Sequence, residues 1–290
     1  MSDHVWRRGA AGFPIRDVDG LELMGEKVPA VLYGRGDRPD AFDAPRVAIV
    51  GTRAATPAGL ADAHELGRFC ARAGVTVVSG LAIGIDAAAH EGALDGGGLT
   101  VGVVATDLDT IYPRRHGKLY ARVQAHGLIV GEHAERVHPE PWRFPIRNRI
   151  IAALADIVVV VEATLSGGAR ITAHLAIDYS RKVYAVPGSR RNPSAAGCNA
   201  LIAIGAVPLL DPSDMLVGLG FGTAEVGWQR VNVPLVADER RALRAMAGDG
   251  ASIDALERAS KLDAARLGAA LRGLERKGRV SRKRGLWWPT

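Results

Sequence analysis

From Arg46 onward, short apolar runs alternate with alanine-rich segments whose apolar spacing is helical. The apolar runs are Val47–Val50, Val75–Ser79, Thr100–Ala105, Leu128–Val130, Ile157–Val161, Val183–Val186 and Val207–Leu210. The helical patterns between them include Ala58–Ala73, Ile85–Leu94 and Ala169–Tyr179. Nearly continuous apolar strands are typical of parallel sheets that helices cover on both faces. The pattern therefore predicts an α/β fold with an extended Rossmann-like, doubly wound and mainly parallel sheet.

The two ends of the chain lack this alternation. Residues 1–45 contain several Gly, Pro and Asp and are predicted to form an irregular N-terminal extension, with a possible edge strand at Val28–Gly34. The Rossmann-like domain is assigned to 46–216, and the glycine-rich stretch 217–234 is interpreted as a linker. Residues 235–290 show three helical segments and a hairpin pattern, which predicts a small winged-helix-like C-terminal domain.

The excess positive charge of the chain lies in its last 60 residues. Residues 231–290 hold 13 Lys and Arg against 7 Asp and Glu, so 13 − 7 accounts for the whole formal charge of +6. This positive charge is consistent with binding of a polyanion such as duplex DNA. It is equally consistent with a solvated surface or with a protein contact. These alternatives stay open.

Neither a membrane span nor a disulfide framework is expected. The sequence has no apolar run of about 18 residues, and its polar start lacks the apolar core of a signal peptide. Its two cysteines, Cys70 and Cys198, support neither a set of disulfides nor a zinc site. We therefore expect a cytoplasmic protein without a metal or cofactor.

The first candidate loop, Gly51-Thr52-Arg53, follows a predicted buried strand and opens a helix. Backbone N–H groups at such a helix start bind phosphate, and ligands of open α/β sheets lie at the carboxyl ends of strands. The loop lacks the second glycine of the dinucleotide fingerprint and carries an arginine, whose planar fork suits a phosphate. The alternative is that Arg53 is an ordinary surface or salt-bridged residue.

The second loop places Ser79 and Gly80 at a strand end, where they offer a hydroxyl and a closely approachable backbone. Asp86 and His90 follow one helical turn apart, so that a hydrolytic triad with Ser79 is conceivable. No nucleophile-elbow pattern surrounds the serine. A helix cap at Asp86 and an ordinary helix position for His90 are the favoured interpretation.

Two further segments carry candidate binding residues. Phe144 stands beside Arg147 and Asn148, and an aromatic next to basic groups suits a single strand, whose bases stack while its phosphates are neutralised. The alternative is that Phe144 packs in the core and an arginine pairs with Glu162. Ser166 and Gly167 form a turn before another helix start, which again suits an anion but is also consistent with a plain turn.

Several different short motifs follow one another along the domain. They are Val50-Gly51-Thr52-Arg53, Ser79-Gly80-Leu81-Ala82, Gly84-Ile85-Asp86, Leu108-Asp109, Tyr112-Pro113, Phe144–Ile151, Ala185–Ser189 and Gly197-Cys198-Asn199. In this order they resemble the DprA/Smf family, the DNA-processing protein A family. The resemblance implies a non-enzymatic protein that binds single-stranded DNA in a basic pocket and forms a homodimer. It also implies protection of incoming DNA and loading of the RecA recombinase in natural transformation (competence) and DNA recombination.

The resemblance also implies roles for individual residues. It implies phosphate contacts from Arg53, Arg114, Arg147 and Asn148, and a base contact from Phe144. Arg143 stands near the position of a basic residue in the family and is its substitute here. The sequence departs from the family pattern at Ile83, where many relatives have Arg, and at His116, where Asn is usual.

Two alternative functions remain from the residues themselves. A nucleotide phosphoribohydrolase would use Glu162 as acid or base next to a glycine-rich loop, for which Ser166–Ala169 is the nearest substitute. A nucleotide-sensing protein would bind mononucleotides and signal through the C-terminal domain.

Overall fold

A computed structural model describes residues 2–15, 28–221, 237–246, 251–276, 280–283 and 286–289. The chain divides into two compact units, Met1–Val226 and Gly227–Thr290, and each is described by itself.

The described part of the first unit contains a nine-stranded sheet. Its strands are β1 (Ser2–Arg7), β2 (Val31–Gly36), β3 (Arg46–Val50), β4 (Thr76–Ser79), β5 (Thr100–Val103), β6 (Gly127–Gly131), β7 (Ile157–Val160), β8 (Lys182–Ala185) and β9 (Val207–Pro208). Their spatial order is β1-β2-β6-β5-β4-β3-β7-β8-β9. Strand β2 runs antiparallel to β1 and β6, whereas the strands from β6 to β9 are parallel. The sheet is thus mainly parallel, as predicted.

Helices cover both faces of this sheet. They are α1 (Pro57–Arg72), α2 (Ile85–Asp95), α3 (Gly117–His126), α4 (Arg143–Leu154), α5 (Gly168–Asp178), α6 (Ala196–Ala203) and α7 (Asp214–Gly218). Successive side chains of a strand point to opposite faces. In β3, Ile49 packs in a cluster with α1 and α2, while Ala48 and Val50 pack in a cluster with α4, α5 and α6. The doubly wound α/β fold is confirmed.

Local chemistry explains where the first helix begins. Thr56 precedes α1 in an extended conformation, and its Oγ1 accepts a hydrogen bond from the Gly59 N–H at 3.1 Å. Pro57 occupies the first turn, where a missing N–H costs nothing. The start of α1 is therefore fixed beside the end of β3, at the carboxyl edge of the sheet.

The prediction of an irregular extension at 1–45 is wrong for β1 and incomplete for β2, which overlaps the possible edge strand at Val28–Gly34. Both strands belong to the sheet, and β1 rather than β2 lies at its edge. The reason for the misassignment is composition, because β2 contains Gly34 and Gly36 and glycine weakens a strand signal. Gly34 is needed here, since a Cβ at this position would lie 2.5 Å from the ring atom Cζ3 of Trp6 on β1.

The end of the first unit is also more regular than predicted. The linker assigned to 217–234 overlaps α7, which includes Val217 and Gly218. Residues 222–234 of that predicted linker lie outside the described residues.

The second unit has the predicted winged-helix elements. These are α8 (Ala237–Arg244), α9 (Ile253–Ser260), α10 (Ala264–Arg276) and a hairpin of β10 (Val280–Lys283) and β11 (Leu286–Pro289). Its core includes Leu256, Leu267, Leu271, Leu274 and Trp287. Across the described parts of both units, no helix combines the length and the apolar character that crossing a membrane requires.

Candidate functional site

A cavity of roughly 380 Å³ opens where the winding of the sheet changes direction. Strand β3 lies between β4, which follows it in the chain, and β7, which comes much later. Crevices outside the carboxyl ends of such strands are the usual ligand sites of doubly wound sheets. The predicted site residues that line the cavity are Gly51, Thr52, Arg53, Phe144, Arg147, Asn148 and Gly167. They come from the loop after β3, the first turns of α4 and the start of α5.

The outer part of the cavity is aromatic and cationic. The Cζ of Arg53 lies 5.0 Å from the centroid of the Phe144 ring, a cation–π contact. The Tyr112 ring lies 5.1 Å from the Phe144 ring, centroid to centroid, with an interplanar angle of 39°. We call Arg53, Phe144 and Tyr112 the mouth. Arg53 is exposed, and no hydrogen bond or ion pair joins it to another described residue, so its guanidinium donors are available to a ligand.

The inner part of the cavity is built around a second arginine. Arg147 is only 4% exposed, and its Nη1 donates to the carbonyl oxygens of Gly80, at 2.8 Å, and Val103. The Asp86 carboxylate lies beside it and accepts a hydrogen bond from the Gly80 N–H at 3.1 Å. We call Arg147, Asp86 and Gly80 the floor. Because Arg147 bonds to the ends of β4 and β5, we assign it the role of fixing α4 over those strands.

Gly80 is required by the close packing of this floor. A Cβ at position 80 would lie 2.5 Å from Nη2 of Arg147 and 2.7 Å from Oδ2 of Asp86. Real Cβ atoms essentially never come so close to another heavy atom. A side chain at this position would displace either the guanidinium or the carboxylate.

Burial and charge act in opposite directions on the two ionisable groups of the floor. Burial raises the pKa of the Asp86 carboxyl, and the charge of Arg147 opposes that shift, as do the N–H groups of Gly80, Ala82 and Gly51. Burial also lowers the pKa of Arg147, and the charge of Asp86 opposes it. An arginine nevertheless stays charged in proteins. In the buried floor, Arg147 and Asp86 therefore each favour the charged form of the other.

The start of α5 offers backbone donors to the cavity. Gly167 is the N-cap, and no side chain caps the first N–H groups of this helix. Gly167, Gly168 and Ala169 line the cavity, and nothing stands within 4 Å of the position that a Cβ of Gly168 would take. The Asn148 amide donates to the Gly168 carbonyl at 3.4 Å. An uncapped helix start with an open approach suits a phosphate.

The prediction that Ser79 and Gly80 contact a ligand is wrong, because the polar groups of both residues are bonded within the protein. The Ser79 hydroxyl is fully buried and donates to the Ile49 carbonyl at 2.6 Å, within the sheet. Both backbone groups of Gly80 are used by the floor. The physical reason is that Arg147 brings α4 over the end of β4, so that neither residue lines the cavity.

The conceivable triad is not assembled either. The Nδ1 of the fully buried His90 pairs with the Thr100 hydroxyl at 2.6 Å, and the Ser79 hydroxyl points to a backbone carbonyl. Glu162, the candidate acid or base of a hydrolase, accepts from the N–H of Thr56 at 2.9 Å and from its hydroxyl at 2.6 Å. Glu162 does not line the cavity. The triad interpretation is wrong, and the hydrolase alternative loses its candidate residue.

Besides Ser79 and Gly80, three further predicted residues lie outside the cavity lining. Arg114 is exposed in a short 3₁₀ turn, Arg114–His116, two residues after Tyr112. The guanidinium of Arg143 lies over the Trp142 ring, 4.3 Å from its centroid. Ser166 is exposed in the turn before α5. Their contact with a ligand stays a prediction.

Sequence reasoning missed Thr172 and Tyr112. Thr172 lines the cavity from the second turn of α5, one turn after Gly168 and Ala169. Helical spacing from that glycine turn was the available signal. Tyr112 was noted only as part of a motif, and its contact with Phe144 joins residues 32 positions apart (144 − 112). No local pattern could reveal that contact.

Family models match most of the chain. The model of DNA recombination-mediator protein A matches residues 11–220, and that of the DprA winged helix domain matches residues 229–285. The putative DNA processing protein DprA of Mycobacterium tuberculosis is 39% identical over 268 residues, which are 89% of this chain and 68% of that protein. Protein Smf of Synechocystis is 42% identical over 66% of this chain and 49% of that protein.

The DNA processing protein DprA of Bacillus subtilis is 38% identical over 64% of this chain and 63% of that protein. The chain thus spans about half to two thirds of the length of the curated relatives it matches.

Two solved structures share the fold over about three quarters of this chain. DNA processing protein A from Streptococcus pneumoniae is 33% identical, with a TM-score of 0.67 over 75% of this chain and 74% of that one. The Helicobacter pylori protein is 29% identical, with a TM-score of 0.64 over 76% of this chain and 96% of that one, and its structure describes a single-stranded DNA binding mode. The resemblance found in the sequence motifs is confirmed, and this chain belongs to the family of DNA recombination-mediator protein A.

Proposed function

We propose that this chain binds single-stranded DNA at the mouth of the cavity, without sequence preference and without catalysing a reaction. The observation that carries the proposal is the exposed Arg53 guanidinium, which lies against the Phe144 ring and has no hydrogen-bond or ion-pair partner among the described residues. A single strand offers both groups that this arrangement can bind, because every base has a π-face and every link has a phosphate.

The surroundings of the mouth support the same ligand. The uncapped start of α5 offers backbone donors to a phosphate on one side of the cavity. Arg114 is exposed two residues after Tyr112 in the chain and offers a further positive charge to a strand bound at the mouth. We propose that Arg53, Arg114 and Asn148 contact the backbone of the strand and that Phe144 contacts a base. The family relationship supports this assignment.

The biological role is proposed from the relatives. Several are named DNA processing proteins, and the Helicobacter pylori structure describes single-stranded DNA binding. We propose that this chain likewise protects incoming DNA in the cytoplasm during natural transformation, forms a homodimer and loads the RecA recombinase. The C-terminal unit would add a second contact, either to duplex DNA or to a protein.

The test is fluorescence anisotropy with a labelled 20-nucleotide oligothymidylate and a matched duplex over a range of salt. We expect preferential binding of the single strand, affinity that rises with strand length, and a linear fall of log K with log salt. Binding of the duplex alone would assign DNA recognition to the C-terminal unit, and competition by mononucleotides would instead favour a nucleotide sensor. Binding of neither DNA would contradict the proposal.

The Arg53→Ala variant tests the residue that carries the proposal. Removing one phosphate contact should weaken binding and reduce the magnitude of the salt slope by about 0.7, the value for one contact to a single strand. The matched control is Arg72→Ala, an exposed arginine at the last residue of α1, about 22 Å along the helix from its first residue Pro57. An Arg53→Ala variant with the slope of the control would contradict the assignment.

A further inference from the structure

We propose that Tyr112 is a second base-stacking residue of the mouth and that Tyr120 is the positioning residue that holds it there. The inference rests on the proposed binding of single strands and adds to it the way in which bases are received. Tyr112 lies in the loop before α3, and Tyr120 lies eight residues later in α3 itself.

The Tyr112 ring is placed for a ligand rather than for the core. Tyr112 is 40% exposed, in contrast to Tyr120, Tyr179 and Tyr184, which are at most 7% exposed. Its one described ring contact is with Phe144, at 5.1 Å between centroids. An aromatic ring that keeps this much of its surface in water beside a cavity offers apolar area that a base can cover.

The spacing of the two rings decides how they can act. A base held between two rings needs about 7 Å between their planes, twice the contact distance of two carbon atoms. The rings of Tyr112 and Phe144 are 5.1 Å apart and tilted by 39°, which is too close for a base to enter between them. The two rings therefore act as one tilted platform, and a base can stack only on an outer face of the pair, such as the exposed face of Tyr112.

Tyr120 fixes the backbone of Tyr112 from below. Its hydroxyl donates to the Tyr112 carbonyl at 2.9 Å and accepts from the Tyr112 N–H at 3.3 Å. The Tyr120 side chain is itself buried in α3 among Leu119, Val123 and Ile129. One hydroxyl thus satisfies both backbone groups of the residue that carries the exposed ring. This arrangement fixes the backbone of the loop on which the platform depends.

The experiment compares an oligothymidylate with a strand of equal length whose sugars lack bases. Both strands carry the same phosphates, so only the normal strand can report stacking. Tyr112→Ala should bind the normal strand about 5- to 150-fold more weakly, the factor expected for one stacked base, and should bind the base-free strand within about twofold of the original protein. Tyr112→Phe, which keeps the ring, should behave like the original protein on both strands.

Tyr120→Phe tests the positioning role. Loss of the hydroxyl should weaken binding of the normal strand about 2- to 10-fold, the factor of one hydrogen bond, and leave the base-free strand unchanged. In the Tyr112→Ala background the same substitution should have no further effect on binding, because there is then no ring to position. Circular dichroism of each variant checks that it is folded at the temperature of the assay.

Each outcome has one meaning. Equal losses on the two strands, or an additive effect of Tyr120→Phe on Tyr112→Ala, would show a general structural role and overturn the inference. An unchanged affinity of Tyr112→Ala for the normal strand would overturn it as well. If the original protein binds neither strand, the proposed function itself fails, and this result is distinct from all the others.

Discussion

The floor and the mouth of the cavity each contain an arginine, and the two have opposite surroundings. Arg147 in the floor is buried, with its Nη1 bonded to two carbonyls and a carboxylate beside it. Arg53 in the mouth is exposed and lies on an aromatic ring, with no described hydrogen bond or ion pair. The floor satisfies its own polar groups, whereas the mouth leaves its donors to a ligand.

This difference shows that the residue type alone does not assign a binding role. A guanidinium whose donors are bonded inside the protein contributes to stability and to the position of α4, because buried polar groups must be satisfied. A guanidinium in water contributes little to stability and much to the attraction of a polyanion. We expect substitutions in the floor to change the free energy of unfolding and those in the mouth to change DNA binding.

The largest effect is expected from Arg147→Met. Methionine fills a similar volume but leaves the Gly80 and Val103 carbonyls without their donor and Asp86 without its compensating charge. Loss of one member of such a buried network costs about 3–5 kcal/mol. Urea unfolding should show this loss, and Arg53→Met, the same substitution in the mouth, should stay within about 0.5 kcal/mol of the original protein.

Two outcomes would break the comparison between floor and mouth. If Arg147→Met were as stable as the original protein and had lost only DNA binding, Arg147 would be a ligand contact like Arg53. If Arg53→Met were strongly destabilised, the mouth would be part of the structural core. DNA binding of both variants is measured without urea, so that folded proteins are compared.

The second largest effect is a dependence of the free energy of unfolding on pH, which we expect from the buried His90. The pKa of His90 is lowered to about 3, mainly by burial, and the charges of His116 and Arg147 contribute to this shift in the same direction. In the unfolded chain a histidine titrates near 6.5. As the pH falls from 7 to 5, the unfolded state takes up a proton that the folded state does not bind. Stability should therefore decrease by about 2 kcal/mol over this interval.

The measurement is the free energy of unfolding of the original protein and of His90→Asn at both pH values. Other groups contribute to the pH dependence of both proteins, so the difference between the two proteins isolates His90. We expect His90→Asn to lose about 2 kcal/mol less than the original protein on acidification. Equal pH dependences would mean that His90 is protonated in the fold and that its surroundings are more polar than the structure shows.

The sheet could be predicted because its signal is local. The runs at Val47–Val50 and Ile157–Val161 are apolar on both faces of the strand, and such runs require a covered sheet wherever they lie in the chain. Of the antiparallel strands at the N-terminus, β1 was not predicted, because it is mostly exposed, and β2, which contains two glycines, was predicted only as a possible edge strand at Val28–Gly34. Their place depends on pairing with β6, about a hundred residues later, as between Tyr33 and Gly131 (131 − 33 = 98).

Part of the cavity could be predicted from the order of strands and helices. Loops that follow parallel strands converge on one edge, so Gly51, Arg53 and Gly167 could be brought together from the order of elements alone. The roles of Ser79 and Arg147 could not, because they depend on which helix covers the end of β4. Burial of a polar side chain is decided by long-range packing, and the sequence around Arg147 gives no sign of it.

The smallest effect we expect is that of Arg53→Lys, which separates charge from shape in the mouth. Lysine keeps the positive charge, so the salt slope should stay that of the original protein. Its ammonium lacks the planar fork and stacks less well on an aromatic ring such as Phe144. Affinity for oligothymidylate should fall about 2- to 5-fold, the factor that corresponds to an exposed cation–π contact.

The result for Arg53→Lys is interpreted by comparing its affinity and salt slope with those of Arg53→Ala. If Arg53→Lys lowers the salt slope as far as Arg53→Ala, the guanidinium holds its phosphate only through its fixed geometry, and the Phe144 ring serves to orient it. If Arg53→Lys leaves both affinity and slope unchanged, charge alone attracts the strand, and the stacked pair in the mouth has no part in binding. A small loss of affinity at constant slope is the result that the contact with Phe144 requires, since that contact orients the guanidinium without adding charge.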